Sequence, residues 1–193
     1  MREDDPIERF SREYSRAQSS EPFDAGRCAL ATADAQGQPS VRFVLLKGFD
    51  TRGFVFYTNF ESQKARDLED NPRAALAFHW HTTGVQVRVR GAVSRVSDED
   101  ADAYFATRDR GSQLGAWASR QSAELEDPKT LAAEVAKVAK RFEDVSVERP
   151  PFWGGFRITP DAIEFWENRD DRLHDRWLYR RSGDGWSCVR LYP

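Results

Sequence analysis

The sequence has 193 residues, of which 12% are aromatic, so the chain is long enough to bury a sizeable core and is not typical of a disordered protein. Its formal net charge of -3 argues against a general nucleic-acid binder, because such binding depends on a basic excess. Cys28 and Cys188 form no C-x-x-C motif, and no long apolar run is present. We therefore expect a cytoplasmic protein with free thiols, no metal site and no membrane span.

Taken in order, the chain begins with a segment, residues 1–25, that reads as a helix followed by a loop. Apolar residues at helical spacing predict the helix over residues 6–18. Residues 27–33 form a short apolar strand, and the turn residues 34–38 join it to the next strand. The pattern predicts a hairpin directly after the N-terminal helix.

The stretch 41–64 reads as strand, turn, strand and the start of a helix. Its first strand is apolar on both faces and carries Arg42 and Lys47 near its ends, which predicts a strand buried on both sides. The second strand, 53–58, is equally apolar, and Ser62 stands at the N-cap position of the helix. Two cations, hydroxyl groups and a helix N-terminus beside a dry core favour a site for a phosphorylated ligand.

The remaining elements predict a mostly β protein. Further helices are predicted over residues 62–69, 97–105 and 128–142, and residues 111–122 read as a segment of helix and loop. In the helix over 128–142, helical spacing places Leu131, Val135, Val138 and Phe142 on the inward face. Further strands are predicted over residues 73–80, 85–96, 153–158, 162–166, 176–181 and 186–191. Gly91 should mark a bulge in the longest of them. Antiparallel strands with a few peripheral helices predict one mostly β (α+β) domain over residues 1–193, a small closed or nearly closed barrel in which the strands of residues 150–193 complete the site.

Three residues near the C-terminus could form an anion site. Strand alternation would place Arg172, His174 and Arg176 on one face, where three cationic or titratable groups are costly unless an anion meets them. A solvated loop paired with the neighbouring aspartates explains the same pattern about equally well.

A second candidate anion site has residues spaced by four. On one helix, Tyr104, Arg108 and Ser112 would present three hydrogen-bond donors to a phosphate. Taken alone, this spacing is more simply explained by a partly exposed helix face.

Four blocks of the sequence match a known pattern. They are RFVLLK with FYTN and SQK at 42–64, YF with RDRGSQLGAW at 104–117, EFW at 164–166, and RLHDR at 172–176. In this order, from about residue 10 to residue 193, the chain resembles the pyridoxamine 5′-phosphate oxidase family. The resemblance implies a split β-barrel with peripheral helices and a homodimer that binds FMN in a cleft between its subunits.

The resemblance also implies roles for individual residues. The implied FMN contacts are Arg42, Phe43, Val44, Leu45, Leu46, Lys47, Tyr57, Thr58, Ser62, Gln63, Lys64, Gln86, Gln121, Ser122, Trp166 and Arg176. The implied substrate contacts are Lys47, Tyr104, Arg108, Ser112, Arg172 and His174, of which the last two are expected to be catalytic. Position 63 is usually basic in the family, so with Gln63 we expect weaker FMN binding than with an arginine there.

The implied activity is the oxidation of pyridoxamine or pyridoxine 5′-phosphate to pyridoxal 5′-phosphate. The family transfers a hydride from the substrate's 4′ carbon to FMN, which oxygen reoxidises to give hydrogen peroxide. One alternative is another oxidase on this fold, of the phenazine-biosynthesis type, although the set of Tyr104, Arg108 and Ser112 argues against it. The other is a non-catalytic flavin-binding protein, which would bind FMN but form no peroxide.

Overall fold

The protein, described as a computed structural model over residues 5–193, is built mainly of antiparallel strands. The strands are β1 (Arg27–Ala33), β2 (Pro39–Leu45), β3 (Gly48–Asp50), β4 (Gly53–Asn59), β5 (Arg73–Trp80), β6 (Val85–Arg95), β7 (Trp153–Glu167), β8 (Asp175–Ser182) and β9 (Gly185–Leu191). The helices are α1 (Pro6–Ser20), α2 (Gln63–Asp70), α3 (Asp98–Ala106), α4 (Arg110–Ala118) and α5 (Pro128–Arg141), with a 3₁₀ turn at Asp170–Arg172.

All nine strands belong to one curled sheet, in which β7 is the central element. The sheet runs in the order β2-β1-β5-β6-β7-β4-β3, while β8 pairs with β7 and β9 with β8. Strand β7 therefore pairs with β4, β6 and β8, each antiparallel to it. The mostly β architecture predicted from the sequence is confirmed.

A β-bulge bends the sheet where β6 pairs with the middle of β7. The β6–β7 register shifts between Arg90 and Gly91, and Gly91 faces Pro160. A Cβ atom on Gly91 would lie 1.9 Å from the carbonyl oxygen of Thr159. The predicted bulge at Gly91 is confirmed.

The two strands predicted over 153–158 and 162–166 are one strand, β7. The bulge accommodates Pro160, which would interrupt regular pairing.

The core lies inside the curl of the sheet, and α1 closes one side of it. Phe10 of α1 is fully buried, and its ring meets the rings of Phe54 and Phe78 edge-on, at centroid distances of 4.8 and 5.1 Å. The indole N–H of Trp80 donates to the carbonyl of Ala25 at 2.9 Å, so the one polar atom of this buried ring is satisfied. The helix is held by apolar burial rather than by its own propensity.

Strand β2 is not buried on both faces, so that prediction is wrong. Val41 is 70% exposed and Phe43 is 74% exposed. β2 is an edge strand of the sheet, and no described strand pairs with its outer edge. A row of exposed apolar side chains on an edge strand is a typical surface for association with another chain.

Helix α5 confirms the helix predicted over 128–142, but its buried face is smaller than expected. Leu131 is 39% exposed and Val135 is 36% exposed, although both were expected to face inward. Only the end of the helix packs tightly, where the buried ring of Phe142 meets Trp117 at 5.6 Å. The helical period of the sequence identified the element, but it did not identify which surface it packs against.

In the part of the chain that the structure describes, no helix combines the length and the apolar character needed to cross a membrane.

The contact at the bulge predicts that Gly91→Ala destabilises the protein. The added Cβ would overlap backbone atoms of β7, which cannot move without breaking strand pairing. We expect a loss of about 1–3 kcal/mol or more in the free energy of unfolding, measured by urea denaturation at fixed protein concentration. Gly185→Ala is the matched control, because its Cβ would meet only an ordinary 3.9 Å contact. Equal midpoints for the two variants would contradict the prediction.

Candidate active site

A cavity of about 470 Å³ lies between β2, β4 and the helices α3 and α4. Many residues expected to bind FMN or substrate line it, namely Phe43, Val44, Leu45, Lys47, Tyr57, Thr58, Lys64, Tyr104, Arg108, Ser112 and Gln121. The wall also includes residues to which the sequence assigned no role, namely Asn59, Gly115, Ala116, Ser119 and Trp153. Of these, Asn59 stands in the FYTN block, whereas Trp153 shows no local sequence signal beyond its place at the start of a strand.

The cavity wall holds a buried lysine whose partners are uncharged. The ammonium group of Lys64 donates to the hydroxyl of Thr58 at 3.1 Å and to the side-chain oxygen of Gln121 at 2.9 Å. Burial lowers the pKa of Lys64 to about 8, and the positive charge of Arg42 acts in the same direction. A buried ammonium group with only neutral hydrogen-bond partners is suited to an anionic ligand.

Arg42 and Gln63 do not line the cavity, because both are engaged with a buried aspartate. Arg42 donates to the hydroxyl of Thr32 at 2.7 Å and lies 3.6 Å from a carboxylate oxygen of Asp67. The side-chain amide of Gln63 donates to the other oxygen of Asp67 at 2.7 Å. The contacts of these two side chains with FMN stay predictions, and the structure shows both turned towards Asp67.

Three other predicted FMN contacts lie beside the cavity and not on its wall. Leu46 is buried in the core, and Ser122 is exposed with a positive φ of 71°. Ser62 occupies the N-cap position of α2, as predicted, but its side chain makes no capping hydrogen bond. Its buried hydroxyl oxygen has no hydrogen-bond partner among the described residues. Such an atom at a helix N-terminus is typical of a site completed by a ligand.

The wall of the same cavity also carries Tyr104, Arg108 and Ser112. The prediction that one helix presents all three is wrong, because α3 ends before Arg108 and α4 begins after it. The break occurs because the side chain of Asp109 caps α4 by accepting the backbone N–H of Ser112 at 2.7 Å. The three side chains nevertheless line the same cavity, two of them on separate helices and the third in the connection.

Arg108 is a half-buried cation held mainly by aromatic rings. Its guanidinium carbon lies 4.7 Å from the centre of the Trp153 ring. Its Nη1 atom is buried and has no hydrogen-bond partner in the described part of the chain. Burial lowers the pKa of Arg108 from its usual value. An unsatisfied guanidinium nitrogen beside a cavity is costly to bury and is suited to binding a phosphate or carboxylate.

The other predicted site residues form a second group, which we call the distal cluster. It is found on β6, β7, β8 and the loop before β8, and its members are Gln86, Trp166, Arg172, His174 and Arg176. Gln86 pairs with Trp166, and Trp166 pairs with Arg176. The ring of His174 lies 4.3 Å from that of Trp166. None of the five lines the 470 Å³ cavity of this chain.

The distal cluster does not present Arg172, His174 and Arg176 by strand alternation, so that expectation is wrong. Arg172 belongs to a 3₁₀ turn with a positive φ of 60°, and β8 begins only at Asp175. His174 accepts the backbone N–H of Arg169 on its Nδ1 atom at 3.2 Å. Neutral His174 therefore carries its proton on Nε2, which can donate a hydrogen bond.

Ion pairs fix the loop that carries Arg172 and His174. Glu167 at the end of β7 accepts from Arg9 of α1 and from Arg169, both at 2.8 Å. Arg169 also donates to Asp175 at 2.8 Å. These links tie the loop to α1 and to β8, so its conformation depends on the N-terminal helix.

Comparisons with known proteins place the chain in a family. The family model described as pyridoxamine 5′-phosphate oxidase matches residues 20–142. A second, described as the pyridoxine 5′-phosphate oxidase C-terminal dimerisation region, matches residues 153–193. The pyridoxine/pyridoxamine 5′-phosphate oxidase of Rubrobacter xylanophilus is 54% identical over 98% of this chain and 87% of its own. The pyridoxine/pyridoxamine 5′-phosphate oxidase of Anaeromyxobacter dehalogenans is 56% identical over 98% of this chain and 96% of its own.

Solved structures show the same fold. PhzG from Burkholderia lata, in complex with tetrahydrophenazine-1-carboxylic acid, superimposes with a TM-score of 0.94 at 31% identity and covers 99% of this chain and 94% of its own. A pyridoxamine 5′-phosphate oxidase-related, FMN binding protein from Nostoc punctiforme has a TM-score of 0.78 at 20% identity and covers all of both chains. The second likeness bears on the fold alone.

The curled sheet is that of the split-barrel fold that these solved structures share. The chain belongs to the pyridoxamine 5′-phosphate oxidase family and is an oxidoreductase, as the sequence predicted. The family supports FMN as the cofactor. The matched dimerisation region supports the expected homodimer.

The lowered pKa of Lys64 predicts that FMN binding weakens as the pH rises through 8. Below about pH 8 the ammonium group is charged and can pair with a phosphate, and above it the group becomes neutral. We expect the affinity of the apoprotein for FMN to fall about tenfold between pH 7 and pH 9, measured by quenching of flavin fluorescence. The Lys64→Gln variant should bind FMN weakly at both pH values. A wild-type affinity that is constant over this range would show that Lys64 does not pair with the phosphate.

Proposed function

We propose that the protein oxidises pyridoxamine and pyridoxine 5′-phosphate to pyridoxal 5′-phosphate, with FMN as cofactor and oxygen as acceptor. For the amine substrate, oxygen and water are consumed and ammonia and hydrogen peroxide are released. For the alcohol, oxygen is consumed and hydrogen peroxide is released. The observation that carries this proposal is a cavity lined by two cations that have no salt bridge among the described residues, the buried Lys64 and the half-buried Arg108. Two phosphorylated molecules, cofactor and substrate, match these two cations.

The residues around Lys64 fit the phosphate of FMN. Lys64 supplies a donor on the cavity wall, and the N-terminus of α2 supplies backbone N–H groups and the unsatisfied hydroxyl of Ser62. Without an anion, burying these groups together costs free energy. When bound, FMN would supply the two-electron acceptor that takes hydrogen from the substrate's 4′ carbon and passes the electrons to oxygen.

The residues around Arg108 would hold the phosphate of the substrate. Arg108 supplies a fixed cation, and Tyr104 and Ser112 supply hydroxyl donors from two different helices. Lys47, just after β2, lines the same cavity and adds a second cation. Charge-assisted hydrogen bonds of this kind are stronger than neutral ones, so binding of the phosphate would fix the position of the substrate's ring.

Each active site would be completed by the distal cluster of the partner subunit. Trp153 lines the cavity and Trp166 belongs to the distal cluster, and they are 13 residues apart in β7. That is about 40 Å of extended strand at roughly 3.3 Å per residue, far more than one side chain spans. The exposed apolar face of β2 beside the cavity and the matched dimerisation region support an interface at this place.

In such a shared site, Arg172 and His174 would bind the substrate's ring from the side opposite Arg108. Arg172 brings a permanent positive charge, and neutral His174 brings a donor at Nε2 because its Nδ1 atom is already occupied. The pair would orient the 4′ carbon and stabilise negative charge that develops on the ring, which is the catalytic role expected for them.

A phenazine-type oxidase is the second candidate, because the similarity to PhzG extends over nearly the whole of both chains. The two candidates differ in the ligand expected at Arg108. A phosphate matches the combination of guanidinium, ammonium and two hydroxyl groups better than an aromatic carboxylate does, because it offers more acceptor oxygens and more charge.

The cationic pocket predicts strong preference for phosphorylated substrates. The unphosphorylated vitamers leave Arg108 and Lys47 without a counter-charge, so we expect at least about 100-fold lower kcat/KM for pyridoxamine than for its phosphate. Arg108→Ala should remove most of this preference by weakening the phosphorylated substrate. Arg141→Ala is the matched control, because Arg141 also lies over a tryptophan ring, at 4.4 Å, but outside the cavity. Equal peroxide production from both substrates by the wild type would refute the proposed phosphate site.

The shared site predicts that two inactive variants complement each other. Arg108→Ala damages the cavity, and Arg172→Ala damages the distal cluster. A dimer with one chain of each kind contains one intact site, formed by the cavity of one chain and the distal cluster of the other. After random re-association of an equal mixture, we expect about a quarter of the wild-type activity, while each variant alone is nearly inactive. A mixture no more active than its components would mean that each chain builds its site alone.

A further inference from the structure

Trp153, the first residue of β7, is one of the most rigidly held side chains at the cavity. It is only 6% exposed although it lines the cavity wall. Its backbone N–H donates to the carbonyl of Pro150 at 3.0 Å, and its carbonyl accepts from Arg149 at 2.7 Å. Arg149 also binds Asp98 at the start of α3 at 2.7 Å. The ring is therefore fixed relative to both the sheet and the helix that carries Tyr104.

The Trp153 ring continues a stack of aromatic rings along the cavity. It is nearly parallel to the ring of Tyr57, with centroids 5.4 Å apart and an angle of 7°. Tyr57 in turn stacks on Tyr104 at 4.0 Å and 15°. A Cβ atom on Gly155 would lie 2.8 Å from the Tyr57 ring, so a residue without a side chain is needed for this arrangement. The stack has no polar atom on its faces and presents π-electron density to its neighbours.

Arg108 lies over this ring without being neutralised. Its guanidinium carbon is 4.7 Å from the Trp153 ring and 5.6 Å from that of Phe105. Throughout residues 5–193 no salt bridge to Arg108 is found, and its Nη1 atom has no hydrogen-bond partner. A carboxylate would hold the guanidinium but would compete with an incoming phosphate, whereas a ring face holds the cation and leaves its N–H groups unused.

We propose that Trp153 is a positioning residue that holds Arg108 over its ring so that the guanidinium can select a substrate by its phosphate. This inference rests on the proposed function, because it assigns the cause of the phosphate preference at that same site. Trp153 acts through Arg108: the ring sets the place of the cation, and the cation contacts the phosphate.

The test measures the phosphate preference of the FMN-loaded dimer in two variants. The readout is the ratio of kcat/KM for pyridoxamine 5′-phosphate to that for pyridoxamine. Trp153→Leu should lower the ratio roughly 3- to 30-fold, mainly through a higher KM for the phosphorylated substrate. Trp153→Phe keeps a ring, so the ratio should fall less in this variant than in Trp153→Leu. Trp186→Leu is the matched control, because it removes a ring 4.3 Å from Arg181, outside the cavity.

A double-mutant cycle separates positioning from general damage. If Trp153 acts through Arg108, Trp153→Leu should change the ratio little once Arg108 is already alanine. An unchanged ratio in Trp153→Leu, or equal losses for both substrates, would overturn the proposal. If Trp153→Leu does not fold, the same comparison is made with Trp153→Met, which also removes the ring, and an unchanged ratio there overturns the proposal.

Binding of inorganic phosphate to the FMN-loaded protein, measured by calorimetry, distinguishes this inference from the proposed function. If the wild type binds phosphate, and both Arg108→Ala and Trp153→Leu weaken it, the positioning role stands even where no vitamer is oxidised. If vitamers are oxidised with strong phosphate preference but Trp153→Leu binds phosphate as the wild type does, the proposed function stands and the role of Trp153 is refuted.

Discussion

Strand β7 is the constraint on which the rest of the structure depends. It pairs with β4 along its first half and with β8 along its second half, while β6 runs beside nearly all of it. Backbone hydrogen bonds therefore fix both of its ends. Trp153 at one end forms part of the cavity wall, and Trp166 near the other end anchors the distal cluster. The bulge at Gly91 lets so long a strand curl with the sheet. The two polar regions are thus held apart by the same element that positions each of them.

The elements of the fold could be predicted from the sequence because their signals are local. The alternation in β6 depends on neighbours a few residues away, and the glycine inside that strand already marks the bulge, although the atom that excludes a side chain there belongs to Thr159 of β7. The burial of β2 could not be predicted, since a strand that is apolar on both faces looks the same whether its second face is covered by its own chain or by another. In this chain the second face is uncovered, and Val41 and Phe43 are exposed. Leu131 and Val135 of α5 were placed inward by helical spacing, which does not say where a partner surface lies.

Many of the site residues could be identified from the sequence, but their arrangement in space could not. One cavity is lined by Tyr104, Arg108 and Ser112, as a shared role requires. Their spacing of four suggested one helix, whereas the side chain of Asp109 caps a second helix between Arg108 and Ser112. Strand alternation would place Arg172 and His174 on one face, whereas the structure has a left-handed turn before β8, in agreement with the alternative of a loop. Trp153 was missed altogether, since a buried tryptophan in a strand is ordinarily a core residue. Only the contact with Arg108 distinguishes it.

Two cations of the cavity, Lys64 and Arg108, are both held in place by uncharged partners. Arg42, a cation outside the cavity, pairs with the carboxylate of Asp67. Lys64 is instead held by a hydroxyl and an amide oxygen, and Arg108 by a ring face. Uncharged partners fix a cation in place without cancelling its charge, at the cost of burying that charge. Burial lowers the pKa of both groups, which is the measure of that cost. A protein retains such a cost where a ligand removes it, so the burial of Lys64 and Arg108 in one cavity favours the proposed binding of two anionic groups.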